Sequence, residues 1–177
     1  MKHTWIIILS LLLWAPAQAQ KKAVLYKTHT DVKGYTIKYP SNWYTKPMDG
    51  AEFFILRPVE EKGQKFRENM NLVQGDAQDL YLVEYIMDAT RKMKEQMTDF
   101  KQLTGDYIKI NGLDFYRMEY EFSYNGKYMM HDVLYLVLKD GRAYSLTGSA
   151  LKTTFSKFQP IFATMAKSFK IHKKPGK

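Results

Sequence analysis

The chain has 177 residues, 45% of them hydrophobic, with no cysteine and a formal net charge of +9. That length and hydrophobicity suit one domain that buries its own core. They exclude a disulfide-stapled scaffold and an intrinsically disordered chain.

Residues 1–19 read as a signal peptide. Lys2 gives a positive start, Trp5 to Trp14 is an uncharged apolar run too short to span a bilayer, and Ala17-Gln18-Ala19 is a small-x-small cleavage site. Residues 20–177 then form a single exported domain, periplasmic or secreted, with no cysteine at the cleavage site to carry a lipid and no membrane span in the mature protein.

Gly34 to Tyr39 alternates apolar with polar residues, as a half-buried strand does, and Pro40-Ser41-Asn42 ends it. Ala51 to Arg57 and Asn69 to Val73 are two further strand candidates. From Asp79 to Met97, the residues Leu80, Val83, Ile86, Met87, Thr90, Met93 and Met97 recur at helical spacing, with Asp76 placed to cap the helix. Three turns, Asn111-Gly112, Asn125-Gly126 and Asp140-Gly141, then divide the middle of the chain into a meander of four antiparallel strands. Asn-Gly and Asp-Gly accept the two positive φ angles of a type I′ hairpin turn. A second apolar stripe, Phe155, Phe158, Ile161, Phe162, Met165 and Phe169, predicts a closing helix broken before Pro160, which lacks an N–H.

With two-residue loops throughout, Tyr120 faces His131, Met118 faces Val133 and Tyr116 faces Tyr135, while the next turn sets Tyr135 against Leu146 and Val137 against Tyr144. That register puts Tyr120 and His131 on an apolar, aromatic face and Arg117, Glu119, Glu121 and Asp132 on the other. Two amphipathic helices then cover the two faces. The expected fold is α+β, a three-layer α/β/α sandwich around a mainly antiparallel sheet.

The stretch Gly34-Tyr-Thr-Ile-Lys-Tyr-Pro-Ser-Asn-Trp43, the Gly112-Leu-Asp-Phe-Tyr-Arg117 strand, the Tyr144-Ser-Leu-Thr-Gly-Ser-Ala150 strand and the closing Ser168-Phe169 resemble the PsbP-like and DcrB-like superfamily of exported α/β/α sandwich proteins. The resemblance spans most of residues 20–177 and implies a scaffold used mostly for non-catalytic binding. It carries no catalytic or metal residue over to this chain.

No nucleophile elbow, zinc-helix, phosphate-loop or EF-hand pattern occurs. No catalytic, cofactor or metal residues are expected. His29 with Asp31 has metal-ligand spacing on a strand but nothing to complete the set. His131 or Ser149 would anchor a hydrolase, the least favoured reading. Tyr81, Tyr85, Tyr120, His131 and Tyr135 are candidates to line a cleft for a small amphiphile or glycan.

Charge is uneven. Residues 151–177 hold Lys152, Lys157, Lys167, Lys170, Lys173, Lys174 and Lys177 with no Asp or Glu, whereas residues 21–150 nearly balance. Lys167, Lys170, Lys173, Lys174 and Lys177, the last three in a basic tail from about residue 172, mark a candidate electrostatic contact with an acidic protein or anionic envelope component. Nucleic acid is a poor partner for an exported chain without a recognition motif. The expected role is a non-catalytic binding module. Mass spectrometry of protein from the native host should show a mature N-terminus at Gln20; recovery of only the full-length, membrane-bound chain would contradict cleavage.

Overall fold

The computed structural model describes residues 23–64 and 66–172. The expected signal peptide and Lys173, Lys174 and Lys177 lie outside them. In chain order the elements are β1 (Tyr26–Asp31), β2 (Tyr35–Pro40), β3 (Tyr44–Met48), β4 (Ala51–Leu56), β5 (Asn69–Asp76), α1 (Leu82–Gln96), β6 (Thr98–Ile110), β7 (Leu113–Tyr124), β8 (Tyr128–Lys139), β9 (Arg142–Leu151), α2 (Phe155–Ser168) and β10 (Lys170–Ile171). The fold is mixed α/β. A seven-stranded antiparallel sheet runs β3-β4-β5-β9-β8-β7-β6, beside a small sheet β1-β2-β10 and two helices.

The three glycine turns all join neighbouring strands. At Asn111-Gly112 and Asp140-Gly141 two residues separate the paired ends, with φ of 50° and 81°, and 52° and 70°. The middle turn differs. Tyr124 pairs with Tyr128, so Lys127 joins Asn125 and Gly126 in a three-residue loop. Because side chains alternate, that one residue moves every β8 side chain to the face opposite the predicted one relative to β7. Tyr120 therefore pairs with Asp132, Met118 with Leu134 and Tyr116 with Leu136, while His131 falls beside Glu121. The expected pairing of Tyr120 with His131 is wrong for this reason. The β8–β9 expectations hold, with Tyr135 opposite Leu146 and Val137 opposite Tyr144.

The larger core gathers Val133, Tyr135, Val137 and Leu146 with Phe155, Phe158, Phe162 and Met165 of α2 and Tyr35 and Ile37 of β2. Trp43, which ends the Tyr-Pro-Ser-Asn-Trp stretch, packs its ring 6.4 Å from both Phe158 and Phe162. The closing Ser168-Phe169 ties α2 down: the Lys38 N–H donates to Ser168 Oγ at 2.8 Å, and Phe169 sits between Tyr35 and Tyr144. The Asn111 amide donates to the carbonyls of Lys167 and Phe169, satisfying acceptors that a helix end leaves open. Contrary to expectation, α2 runs unbroken through Pro160. The missing N–H would have served Ser156, an exposed residue whose carbonyl water can satisfy.

The smaller core joins Met118, Tyr120, Leu134, Leu136 and Ala143 to Ile86 of α1, with Leu82, Tyr85 and Met93 packed beside it. The helix is turned relative to the predicted stripe. Leu80 (47% exposed), Val83 (50%) and Met87 (68%) face outward. Nor does Asp76 cap α1, since its carboxylate accepts from the Gln78 N–H; the N–H of Tyr81, the N-cap residue, is satisfied by Glu84 at 2.8 Å. Strands β1, β3 and β10 had no clear sequence signal.

Gly148 lies under Phe162, where a Cβ would come within 2.6 Å of the ring. Gly148→Ala should cost roughly 1–3 kcal/mol, as overpacking a tight core does. Urea denaturation reads this directly, and an unchanged midpoint would contradict the packing.

Candidate functional site

The slipped register sorts the ionisable groups of the meander into two separate sets. On the α2 side, β7 carries Arg117, Glu119 and Glu121, and β8 carries His131 and Tyr135. His131 Nε2 lies 3.2 Å from Glu119 Oε2, and its Nδ1 lies 3.6 Å from Glu121 Oε1. Its ring stacks on Phe155 with centroids 3.6 Å apart and planes 8° from parallel. Arg117 also grips Glu119, the Gln159 amide donates to Glu119 Oε1 at 2.7 Å, and Lys152 donates to Glu121 at 2.9 Å. Each carboxylate in this network meets more than one donor-bearing side chain. Such an arrangement anchors α2 to the sheet.

On the α1 side, Asp132 is buried between Tyr120 and Ser149. Ser149 Oγ donates to Asp132 Oδ2 at 2.9 Å and the Tyr120 hydroxyl to the same oxygen at 3.4 Å, while Asp132 Oδ1 has no partner. Burial disfavours the charged form and raises the Asp132 pKa to about 7, against the pull of the two hydroxyls. Burial and the adjacent carboxylate push the Tyr120 phenol well above its ordinary value.

These placements decide the residues singled out from sequence. Ser149 and His131 project from opposite faces of the sheet, and the hydroxyl bonds a carboxylate rather than an imidazole, so the two form no nucleophile–base pair. The cleft set divides as well. Tyr120 is buried on the α1 side, whereas His131 and Tyr135 lie on the α2 side. Tyr81 is 78% exposed at the start of α1, and Tyr85 lays its hydroxyl over Gly75. These five residues therefore do not share one cleft. His29 Nε2 lies 3.5 Å from Asp31 Oδ2 on β1, and no group of three or more potential metal ligands occurs among the described residues. Lys167 and Lys170 are both exposed near the end of α2.

Two open, polar surface recesses adjoin around the Asp140-Gly141 turn. One of about 520 Å³ is lined by Glu52, Gln74, Asp76, Gln78, Asp140 and Arg142. Beside it, one of about 210 Å³ shares Asp140 and Arg142 and reaches Lys33, Tyr144 and His172. The Arg142 guanidinium donates to Gln74 at 3.1 Å, and Lys33 pairs with Glu52.

A family model described as PsbP matches residues 25–171. The chain belongs to the PsbP family. Among solved structures, this PsbP-family chain resembles cyanobacterial PsbP (CyanoP) from Synechocystis sp. PCC 6803, with a TM-score of 0.62 and 16% identity over 86% of this chain and 95% of that one. LpqN of Mycobacterium tuberculosis, described as involved in cell envelope biogenesis, gives 0.62 and 15% over 86% and 93%. PA94 of Pseudomonas aeruginosa, a protein of unknown function, gives 0.58 and 12% over 85% and 99%. These likenesses establish the fold. No curated protein matches the chain. No helix among the described residues is long and apolar enough to cross a membrane.

The buried acid yields a pH prediction. Unfolded, Asp132 loses its proton near its ordinary value of 3.8; folded, it keeps the proton up to about 7. Between those values the native state binds the extra proton, so this group's contribution to stability falls as pH rises from about 4 to 7 and is flat above. Asp132→Asn should remove that slope and be the more stable protein at pH 8, by a few kcal/mol at most. Denaturation at pH 5 and pH 8 tests it; the same slope in both proteins would contradict the buried, protonated carboxyl.

Proposed function

We propose that this PsbP-family chain is an exported, non-catalytic binding module that engages a protein or envelope partner, built as a three-layer α/β/α sandwich with one helix on each face of the sheet. The observation that carries this reading is the apolar row at the start of α1. Val83 and Met87, four residues apart on the helix, present one stripe to solvent, with Leu80 and Tyr81 exposed just ahead of it. An amphipathic helix normally turns such a stripe inward, and an exposed row of this kind marks an interaction surface.

The separation of Ser149 from His131 and the multiply bonded Glu119 network support binding over catalysis. Lys167 and Lys170, with Lys173, Lys174 and Lys177 following in sequence, add long-range attraction toward an anionic surface. A periplasmic or secreted location fits the leader read from residues 1–19 and the cell-envelope role given for LpqN.

The test is co-sedimentation of the mature protein with the host envelope fraction. Val83→Asp with Met87→Asp should leave the fold intact, since both side chains are at least half exposed. The pair should lower retention about tenfold or more, the scale expected when two half-buried apolar side chains can no longer pack against a partner. Retention unchanged by the pair would rule out α1 as the contact.

A further inference from the structure

At one edge of the domain, the β6–β7 turn, the end of β8 and strand β10 enclose a cleft of about 450 Å³. Leu113, Phe169 and Ile171 form its apolar part, and Lys139, Lys170 and His172 its polar part. The remaining lining residue, Asn111, spends both amide hydrogens on the carbonyls of Lys167 and Phe169. The lining thus joins three basic side chains to an apolar floor and includes no carboxylate.

Beyond the lining, Asp140 lies 3.3 Å from Lys139 Nζ but is two-thirds exposed, a pairing of little strength in water. His172 is held in place by its backbone N–H to the Gly34 carbonyl at 2.7 Å and by Nε2 at 3.1 Å from Thr36 Oγ1. The adjoining recess shares Ile171 and His172 and adds Lys33, Arg142, Tyr144 and Asp140. There Lys33 is engaged by Glu52 and Arg142 by Gln74. Lys170 has no close carboxylate partner in these contacts, and the sequence continues with Lys173, Lys174 and Lys177.

We propose that this cleft binds the phosphate headgroup of an anionic amphiphile, the phosphate lying among Lys139, Lys170 and His172 and the first carbons of the chain resting on Leu113 and Ile171. Ammonium groups donate charge-assisted hydrogen bonds to phosphate oxygens, and an imidazole N–H can donate a further one. A free phosphate uses only those donors, whereas an amphiphile also covers the apolar floor. Neither half of the lining is explained by the other, and an anionic lipid uses both. The inference rests on the reading of the chain as an envelope-binding module and gives that module a second contact, independent of α1.

Sedimentation of the mature protein with phosphatidylcholine vesicles, with and without phosphatidylglycerol, tests it. Binding should require phosphatidylglycerol and weaken with salt. Lys139→Gln with Lys170→Gln should lower vesicle affinity roughly twenty-fivefold, at about fivefold per lysine near an anionic surface, while Lys94→Gln on α1 should change it less than twofold. Leu113→Asn should also weaken it, and dihexanoyl phosphatidylglycerol should compete where inorganic phosphate at the same concentration does not. Equal competition by phosphate, with Leu113→Asn silent, would overturn the amphiphile. Loss of binding only on changing Lys173, Lys174 and Lys177 to Gln, with the Lys139 and Lys170 pair silent, would overturn the cleft. Val83→Asp with Met87→Asp should leave vesicle binding intact, so the α1 contact and this one fail separately.

Discussion

Everything on the two faces of the large sheet depends on the three residues, Asn125, Gly126 and Lys127, that separate Tyr124 from its partner Tyr128. A strand sends alternate side chains to opposite faces, so turn length alone decides which residues of β7 and β8 meet. With three residues, Glu119 and Glu121 meet His131, and Tyr120 meets Asp132. Glu119, Glu121 and His131 thus share one face of the sheet while Tyr120 and Asp132 share the other, each set with its own contacts.

The two sides are not equal. The α2 side carries four large helix side chains, the rings of Trp43, Tyr35 and Phe169, and the Glu119 network, so its burial is extensive and its carboxylates Glu119 and Glu121 are paired. The α1 side holds the helix by Ile86, with Leu82, Tyr85 and Met93 only partly buried, and places a carboxyl with one unbonded oxygen beneath it. Apolar burial is the main stabilising term, so α1 is the more weakly held helix. It also turns two apolar residues, Val83 and Met87, outward.

Much of this was legible in the sequence. The alternation in Gly34 to Tyr39, the three glycine turns and the Phe155 to Phe169 stripe each report a backbone period, and the strands and helices they predict are present. The resemblance to PsbP-like proteins also matched the family found. Other features escaped for physical reasons. Asn-Gly fits two- and three-residue loops alike, so the β7–β8 register could not be read from the turn, and the error flipped one strand against the other. The α1 stripe contains apolar residues over a wide arc, Leu80 and Val83 as well as Leu82 and Ile86, so periodicity left the helix's rotation open. Strand β3 has all five residues exposed, and β1 and β10 owe their pairing to β2, none of which leaves a hydrophobic pattern. The Asp132–Ser149 contact, by contrast, follows from the two-residue turn at Asp140-Gly141 and needed only that count. The basic cleft could not be foreseen, because Lys139 and Lys170 are brought together only when β10 pairs with β2.

The measurement that bears most directly on the partition is disulfide trapping across the β7–β8 turn, made clean by the absence of native cysteine. Ser123→Cys with Met129→Cys joins residues paired in the three-residue loop, and Ser123→Cys with Tyr128→Cys joins those that a two-residue loop would pair. The account predicts ready oxidation of the first pair and little of the second, whose side chains point to opposite faces. Preferential closure of the second pair would restore Tyr120 to His131 and contradict the division of the ionisable groups.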